Sequence, residues 1–128
     1  MDTRPAAGSD AARSTAPATV LVAADDLIWA SRLRTAVERS GATAIVGLRP
    51  ATGTRGAVVD LGLRRDDAIA LITALAGSGV PVIAVGQHDD LALRKRALAA
   101  GAGRVYSYDK LFRDGPGVIR TWLEGLPS

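Results

Sequence analysis

Two groups of carboxylates in this chain stand where chemistry could use them. Asp60 ends the apolar run Ala57-Val58-Val59 and is followed by Leu61-Gly62, and Asp25-Asp26 follow the apolar run Val20-Leu21-Val22-Ala23. A short uninterrupted apolar run reads as a strand buried on both faces, and the carboxyl ends of such strands are where open α/β sheets place their ligands. Acids gathered at that edge repel phosphates unless a cation intervenes. Leu61-Gly62-Leu63 does not start a helix, so capping does not account for Asp60. A carboxylate buried there without a partner or water would cost several kcal/mol. The pairs Asp25-Asp26, Asp66-Asp67 and Asp89-Asp90 all lead into helical patterns, and capping explains them without any function. Asp25 fits both a cap and a neighbour of Asp60 on an adjacent strand.

The elements that must hold these acids alternate. A strand over about 19–24 leads to a helix ending near Ser40, with Trp29, Leu33, Ala36 and Val37 on one face and Gly41 after it. A second strand over 42–48 is followed by Arg49 to Gly56, which has no apolar periodicity and reads as a loop. The strand ending at Asp60 precedes a helix over 67–76 whose apolar residues run around most of its girth. Pro81 opens a fourth strand through Val82-Ile83-Ala84-Val85. A helix from Asp89-Asp90 to Ala100 and a fifth strand over 104–108 come next. A last helix starts at about Pro116, where a first-turn proline is tolerated, and carries Ile119, Trp122, Leu123 and Leu126. Strands alternating with helices predict a parallel, doubly wound sheet.

Composition narrows the function classes. A chain of 128 residues, 48% of them hydrophobic, builds one domain with a real core. No apolar run approaches the ~20 residues of a membrane span. Residues 1–18, rich in Ala, Ser, Thr and Pro, lack the apolar centre of a secretion signal and are expected to be a disordered tail, with the domain over 19–128. The absence of cysteine excludes thiolate zinc sites and disulfides, and one histidine argues against histidine metal sites. This suits a cytoplasmic protein. The net charge of +3 raises a nucleic-acid reading, but the basic run is only Arg94-Lys95-Arg96 and five aromatics (two Trp, two Tyr, one Phe) do not make a stacking platform. Nucleic acid is therefore not an expected partner.

The ordered set of residues resembles the receiver domains of bacterial two-component response regulators. The spacing matches from Val20 to Gly41, and again from Val58 to Ala102 through Asp60-Leu61, Pro81-Val82-Ile83 and Ala99-Ala100-Gly101-Ala102. The resemblance implies a flavodoxin-like (CheY-like) five-stranded parallel sheet of order 2-1-3-4-5. It puts Asp60 on the aspartate that accepts phosphate from a histidine kinase. It puts Asp25 and Asp60 among the ligands of Mg²⁺, with Ala24 at the place of the other acid and Asp26 one residue late as a substitute. Gly86 stands where the family has a hydroxyl. An ungapped count puts Tyr108 at the family's lysine, whereas Lys110-Leu111-Phe112 matches only with two residues inserted. The family's helix between strands 2 and 3 has no room in residues 48–56.

Losing one preorganised donor at a reacting oxygen typically costs about 2.7–4 kcal/mol, so phosphorylation of Asp60 is expected to be impaired. The expectation is a stand-alone, atypical receiver-like signalling and protein-interaction module, without an output domain and not an enzyme. A working phosphoacceptor receiver in a two-component phosphorelay is the alternative. A different class, an enzyme or small-ligand binder at the acidic edge, is disfavoured. A phosphatase of the haloacid dehalogenase type would want an acid at Gly62, and a nucleotide site would want glycines where Ala24-Asp25-Asp26-Leu27 stands. Weak Mg²⁺ binding is expected at Asp25 and Asp60. With one helix lost, the edge near Ala44, Ile45 and Val46 should be thinly covered, a place for a protein partner or a homodimer.

Overall fold

The computed structural model of the chain describes residues 17–127. Its elements are β1 (Thr19–Ala23), α1 (Leu27–Arg39), β2 (Thr43–Val46), β3 (Thr54–Asp60), α2 (Arg65–Gly77), β4 (Val82–Gly86), α3 (Leu91–Ala100), β5 (Arg104–Ser107) and α4 (Tyr108–Glu124). All strand pairs are parallel and the sheet order is β2-β1-β3-β4-β5. Alternate side chains of the central strands divide the core into two layers. Val20, Val22, Val58, Ile83 and Val85 pack beneath α1 and α4 with Leu33, Val37 and Ile119. Leu21, Ala23, Ala57, Val59 and Ala84 pack on the other face with Ile72, Leu75, Leu93 and Ala97 of α2 and α3. The continuous apolar runs exist because these strands are covered on both sides.

Local chemistry fixes the helix starts. Asp26 accepts the Trp29 N–H at 2.9 Å and Asp90 accepts that of Leu93 at 3.1 Å, so two of the three acidic pairs supply caps as expected. The third does not: Arg64 is the N-cap of α2 without a side-chain bond, and Asp67 lies inside the first turn, paired with Arg64 at 3.1 Å. The buried face of α2 is narrower than its composition suggests. Ala68, Ile72 and Leu75 are buried, while Ala70 and Ala74 face solvent.

Three sequence expectations need correction. The third strand begins at Thr54, not after Gly56, so Thr54-Arg55-Gly56 belongs to the sheet. A side-chain carbon at Gly56 would lie 2.5 Å from the Trp122 ring, so glycine lets α4 lay its indole on β3. Arg55 also donates to the carbonyls of Leu126, at 3.2 Å, and Pro127. The last helix starts at Tyr108 rather than near Pro116, because the Ser107 hydroxyl accepts the Lys110 N–H at 3.1 Å. The ion pairs Arg113–Asp109 and Lys110–Asp114 span its early turn before a kink at Asp114, beyond which Pro116 starts the second stretch. Finally, Ala18, assigned to the tail, packs against the core, and its carbonyl accepts the Thr43 N–H at 2.7 Å. Residues 1–16 lie outside the described residues.

The missing helix has a geometric reason. Val46 pairs with Val22 and Thr54 with Thr19, so the connection 47–53 must cross β1 and drop back three residues. Two strand spacings and that offset make about 14 Å. A helix over those residues would reach only about 12 Å, whereas an extended segment reaches about 26 Å. The flank is accordingly open: Ile45 is 37% exposed, Val46 47% and Leu48 56%.

Candidate functional site

Asp60 closes β3 at the carboxyl edge of the sheet and is only 1% exposed, the one buried charged or polar residue among those described. Its Oδ1 accepts the Gly62 N–H at 2.8 Å and also the Tyr108 hydroxyl. Burial pushes the Asp60 carboxyl above the ordinary carboxylate range. The bonds from Tyr108 and Gly62 pull it down, and the charges of Asp26 and Asp25 add repulsion that raises it. The Tyr108 phenol is raised too, by burial first and then by its bond to Asp60 and that residue's charge.

Glycine and an aromatic wall make this closure. A side-chain carbon at Gly62 would sit 2.8 Å from the Tyr108 hydroxyl and 3.1 Å from Asp60 Oδ1, so any larger residue would push the phenol out. The ring of Trp29 stands 4.4 Å from that of Tyr108, tilted by 38°, and backs the phenol from the α1 side. A side-chain carbon at Gly86 would lie 3.0 Å from Leu61, so a hydroxyl-bearing residue there would have to displace Leu61. Beside Tyr108 a cavity of about 410 Å³ opens among Leu61, Gly86, Gln87 and Leu93.

The sequence-derived residues come together unequally. Asp60 lies at the centre, with Asp25 and Asp26 near enough to perturb it. Asp26 is exposed and committed to the α1 cap, and Asp25 is exposed. No group of three His, Cys, Asp or Glu that could hold a metal occurs among the described residues. A Mg²⁺ ion there would draw on Asp25, on the second oxygen of Asp60 and on water. That donor set suits loose binding only. Lys110 sits in the first turn of α4 with its ammonium 3.6 Å from Asp114, and the side chain that meets Asp60 is Tyr108. The ungapped count against the family puts Tyr108 in that place. Gly62 and Trp29 had no such signal, since a glycine after a strand reads as a turn and a tryptophan on an apolar face reads as core.

No protein-family model matches the chain, and no curated protein matches it. Solved structures do, and they define the fold as that of response-regulator receiver domains. The receiver domain of the trimethylamine N-oxide respiratory regulator TorR superposes with a TM-score of 0.74 at 19% identity, over 87% of this chain and 100% of that one. A response-regulator receiver protein from Burkholderia phymatum gives 0.67 at 25% identity, over 87% and 98%. A response regulator from Burkholderia pseudomallei, solved with a phosphorylated aspartic acid, a calcium ion and citrate, gives 0.66 at 19% identity, over 84% and 69%. Among the described residues no helix is long and apolar enough to cross a membrane.

Proposed function

We propose that this chain is a receiver-like signalling module that works through protein contacts, with Asp60 closed to phosphoryl transfer by Tyr108. The observation that carries the reading is the pair of donors, Tyr108 hydroxyl and Gly62 N–H, on one buried oxygen of Asp60. Those bonds tie up Oδ1, so only the second oxygen of Asp60 could attack phosphorus, and that is the oxygen a Mg²⁺ ion would need; the charge on the transferred group must also be neutralised by metal and cations. Here a neutral phenol stands where the resemblance places an ammonium, and Gly86 offers no hydroxyl. Each donor missing at a reacting oxygen costs on the order of 10²–10³ in rate. Mg²⁺ binds weakly, through Asp25 and Asp60, and Asp26 stays with its helix.

Acetyl phosphate and Mg²⁺, followed by intact mass, test the reading. The wild type stays unlabelled, whereas Tyr108→Lys takes up one phosphoryl group that is lost with Asp60→Asn. Stoichiometric labelling of the wild type would restore the phosphorelay reading, with a histidine kinase as partner. A Tyr108→Lys variant as inert as the wild type would show that the phenol is not what closes the site.

Two surfaces support a protein-binding role. Leu27 is 86% exposed, Ile28 62% and Phe112 63%, at the starts of α1 and α4. The open β2 edge is the second, where strand pairing between two copies would join two sheets. Sedimentation of the wild type beside Ile45→Asp tests that homodimer.

A further inference from the structure

The outer edge of β2 is bare, and nothing in its sequence guards it. No strand lies beyond β2 among the described residues. Thr43–Val46 carries no charge, no proline and no bulge against β1, the devices that usually keep an edge from pairing. Which backbone groups are bare follows from the ladder. The Thr43 N–H donates to the Ala18 carbonyl at 2.7 Å and the Gly47 N–H to the Val22 carbonyl at 3.0 Å, so residues 43, 45 and 47 turn toward β1. Hydrogen-bonding direction alternates along a strand, so the N–H and C=O of Ala44 and Val46 point outward. The next outward candidate is already taken, since the Ala42 N–H donates to the Val37 carbonyl at 3.2 Å. Side chains alternate too. Ile45 lies in register with Leu21 on the α2–α3 face, which has no helix over β2, and Val46 with Val22 on the α1–α4 face.

We propose that β2 pairs antiparallel with β2 of a second copy in one register, Ile45 opposite the second copy's Ile45 and Ala44 opposite its Val46, so that two five-stranded sheets become one. Symmetry and hydrogen bonding select this register together. A two-fold axis that joins two edges into one sheet stands perpendicular to it, keeps each face on its own side and pairs one residue with itself at the centre. With Ile45 there, Ala44 and Val46 form two hydrogen-bonded pairs across the join and leave no outward N–H or carbonyl of either residue unused. Centring on Ala44 would need the occupied Ala42 N–H, and centring on Val46 would need Leu48, beyond the strand. The two isoleucines meet in a non-hydrogen-bonded pair, where side chains approach closest, and cover each other on the open face. A second copy suits this edge because the segment is its own complement, uncharged and with its bare groups two residues apart. A four-residue strand sits at the low end of interface sizes, so the pairing is reversible and grows with concentration. The antiparallel join points the two Asp60 edges in opposite directions and leaves both uncovered. The inference rests on the reading of the β2 edge as a homodimer contact, not on the state of Asp60.

The chain has no cysteine, so a single introduced thiol can cross-link only to its own copy. Ile45→Cys, Ala44→Cys and Val46→Cys are oxidised with copper phenanthroline, and the disulfide dimer is followed on non-reducing gels. A non-hydrogen-bonded pair sets the α-carbons of residue 45 about 4.5 Å apart, inside the ~4.4–6.8 Å range of a disulfide. Those of residue 44, or of residue 46, are offset by two positions and lie beyond about 7 Å. Ile45→Cys therefore cross-links at least about tenfold faster than either neighbour. Sedimentation supplies the second arm. The wild type dimerises as its concentration rises, and Ile45→Asp and Ile45→Lys are each monomeric with unchanged circular dichroism. An equimolar mixture of those two variants sediments as a dimer again, because opposite charges then face one another. Faster cross-linking at 44 or 46, beside a wild-type dimer that Ile45→Asp abolishes, would overturn the register and leave the homodimer reading standing. A mixture that stays monomeric would overturn the pairing of the two Ile45 positions, and a monomeric wild type would sink the register and the homodimer together.

Discussion

The two ends of one sheet treat exposure in opposite ways. At the end of β3 a carboxyl group that belongs in water is buried and bonded twice, whereas on β2 the apolar Ile45 and Val46 stand open to solvent. Leu21 and Ile45 are partners in register, yet the first is 1% exposed and the second 37%. Chain length explains the contrast. The α4 helix begins immediately after β5 and can bring Tyr108 over Asp60, while residues 47–53 span β1 with nothing left to fold over β2. Covering a polar centre took a single residue in the right turn. Covering an apolar strand would have taken a helix.

The comparison breaks most visibly at Tyr108. Tyr108→Phe keeps the ring on Trp29 but removes a donor from a buried carboxyl group, and should cost about 2 kcal/mol in chemical denaturation at neutral pH. The loss shrinks in acid, where a protonated Asp60 no longer needs the donor as much. A cost unchanged between neutral pH and acid would mean that the phenol matters only as packing.

Asp60→Asn sharpens the same end with a smaller effect of opposite sign. Asn keeps an oxygen for Gly62 and Tyr108 and carries no charge. Because the folded carboxyl lies above its unfolded value, the native state binds the extra proton between the two values. Wild-type stability therefore falls as pH rises through that window and is lowest, relative to Asn, above the raised pKa. The variant should be more stable by about 1 kcal/mol at neutral pH, with the difference closing as pH falls toward the ordinary carboxylate range. A variant less stable than the wild type at every pH would contradict a burial-dominated carboxyl.

Ile45→Asp tests the other end and should cost the monomer no more than about 1 kcal/mol, since the side chain is already 37% exposed and the loss is mainly of strand propensity. The smallest effect is that of Mg²⁺. Millimolar additions should shift only amides near Asp25 and Asp60, and Asp25→Ala should abolish the shifts. Shifts that survive that substitution would place the ion elsewhere.

How far the sequence revealed these two ends depended on the range of the interactions. Val20 to Ala23, Ala57 to Val59 and Val82 to Val85 are uninterrupted apolar runs, so the strands and the place of Asp60 could be read locally, whereas the sheet order came only with the family resemblance. The start of β3 could not, because Arg55 and Gly56 are in the sheet for reasons 71 residues away, at Leu126, and at Trp122. The partner of Asp60 was half legible. Counting favoured Tyr108 and motif chemistry favoured Lys110, and the deciding fact was the capping of α4 by Ser107, which turns residue 108 toward β3 and residue 110 toward Asp114. Asp25 and Asp26 were separable only once the cap had claimed one of them.

Because Tyr108 is the first residue of α4, the seal over Asp60 is built into a helix end, the part of a helix that frays first. Unwinding that turn would carry the phenol away from Trp29 and Gly62, a local opening rather than a hinge motion. The Lys110 amide, held by Ser107, becomes a natural clock for the event: its hydrogen-exchange rate counts how often that turn opens. Anything that tightens the turn, such as the Arg113–Asp109 pair at 2.7 Å, slows that clock without touching Asp60.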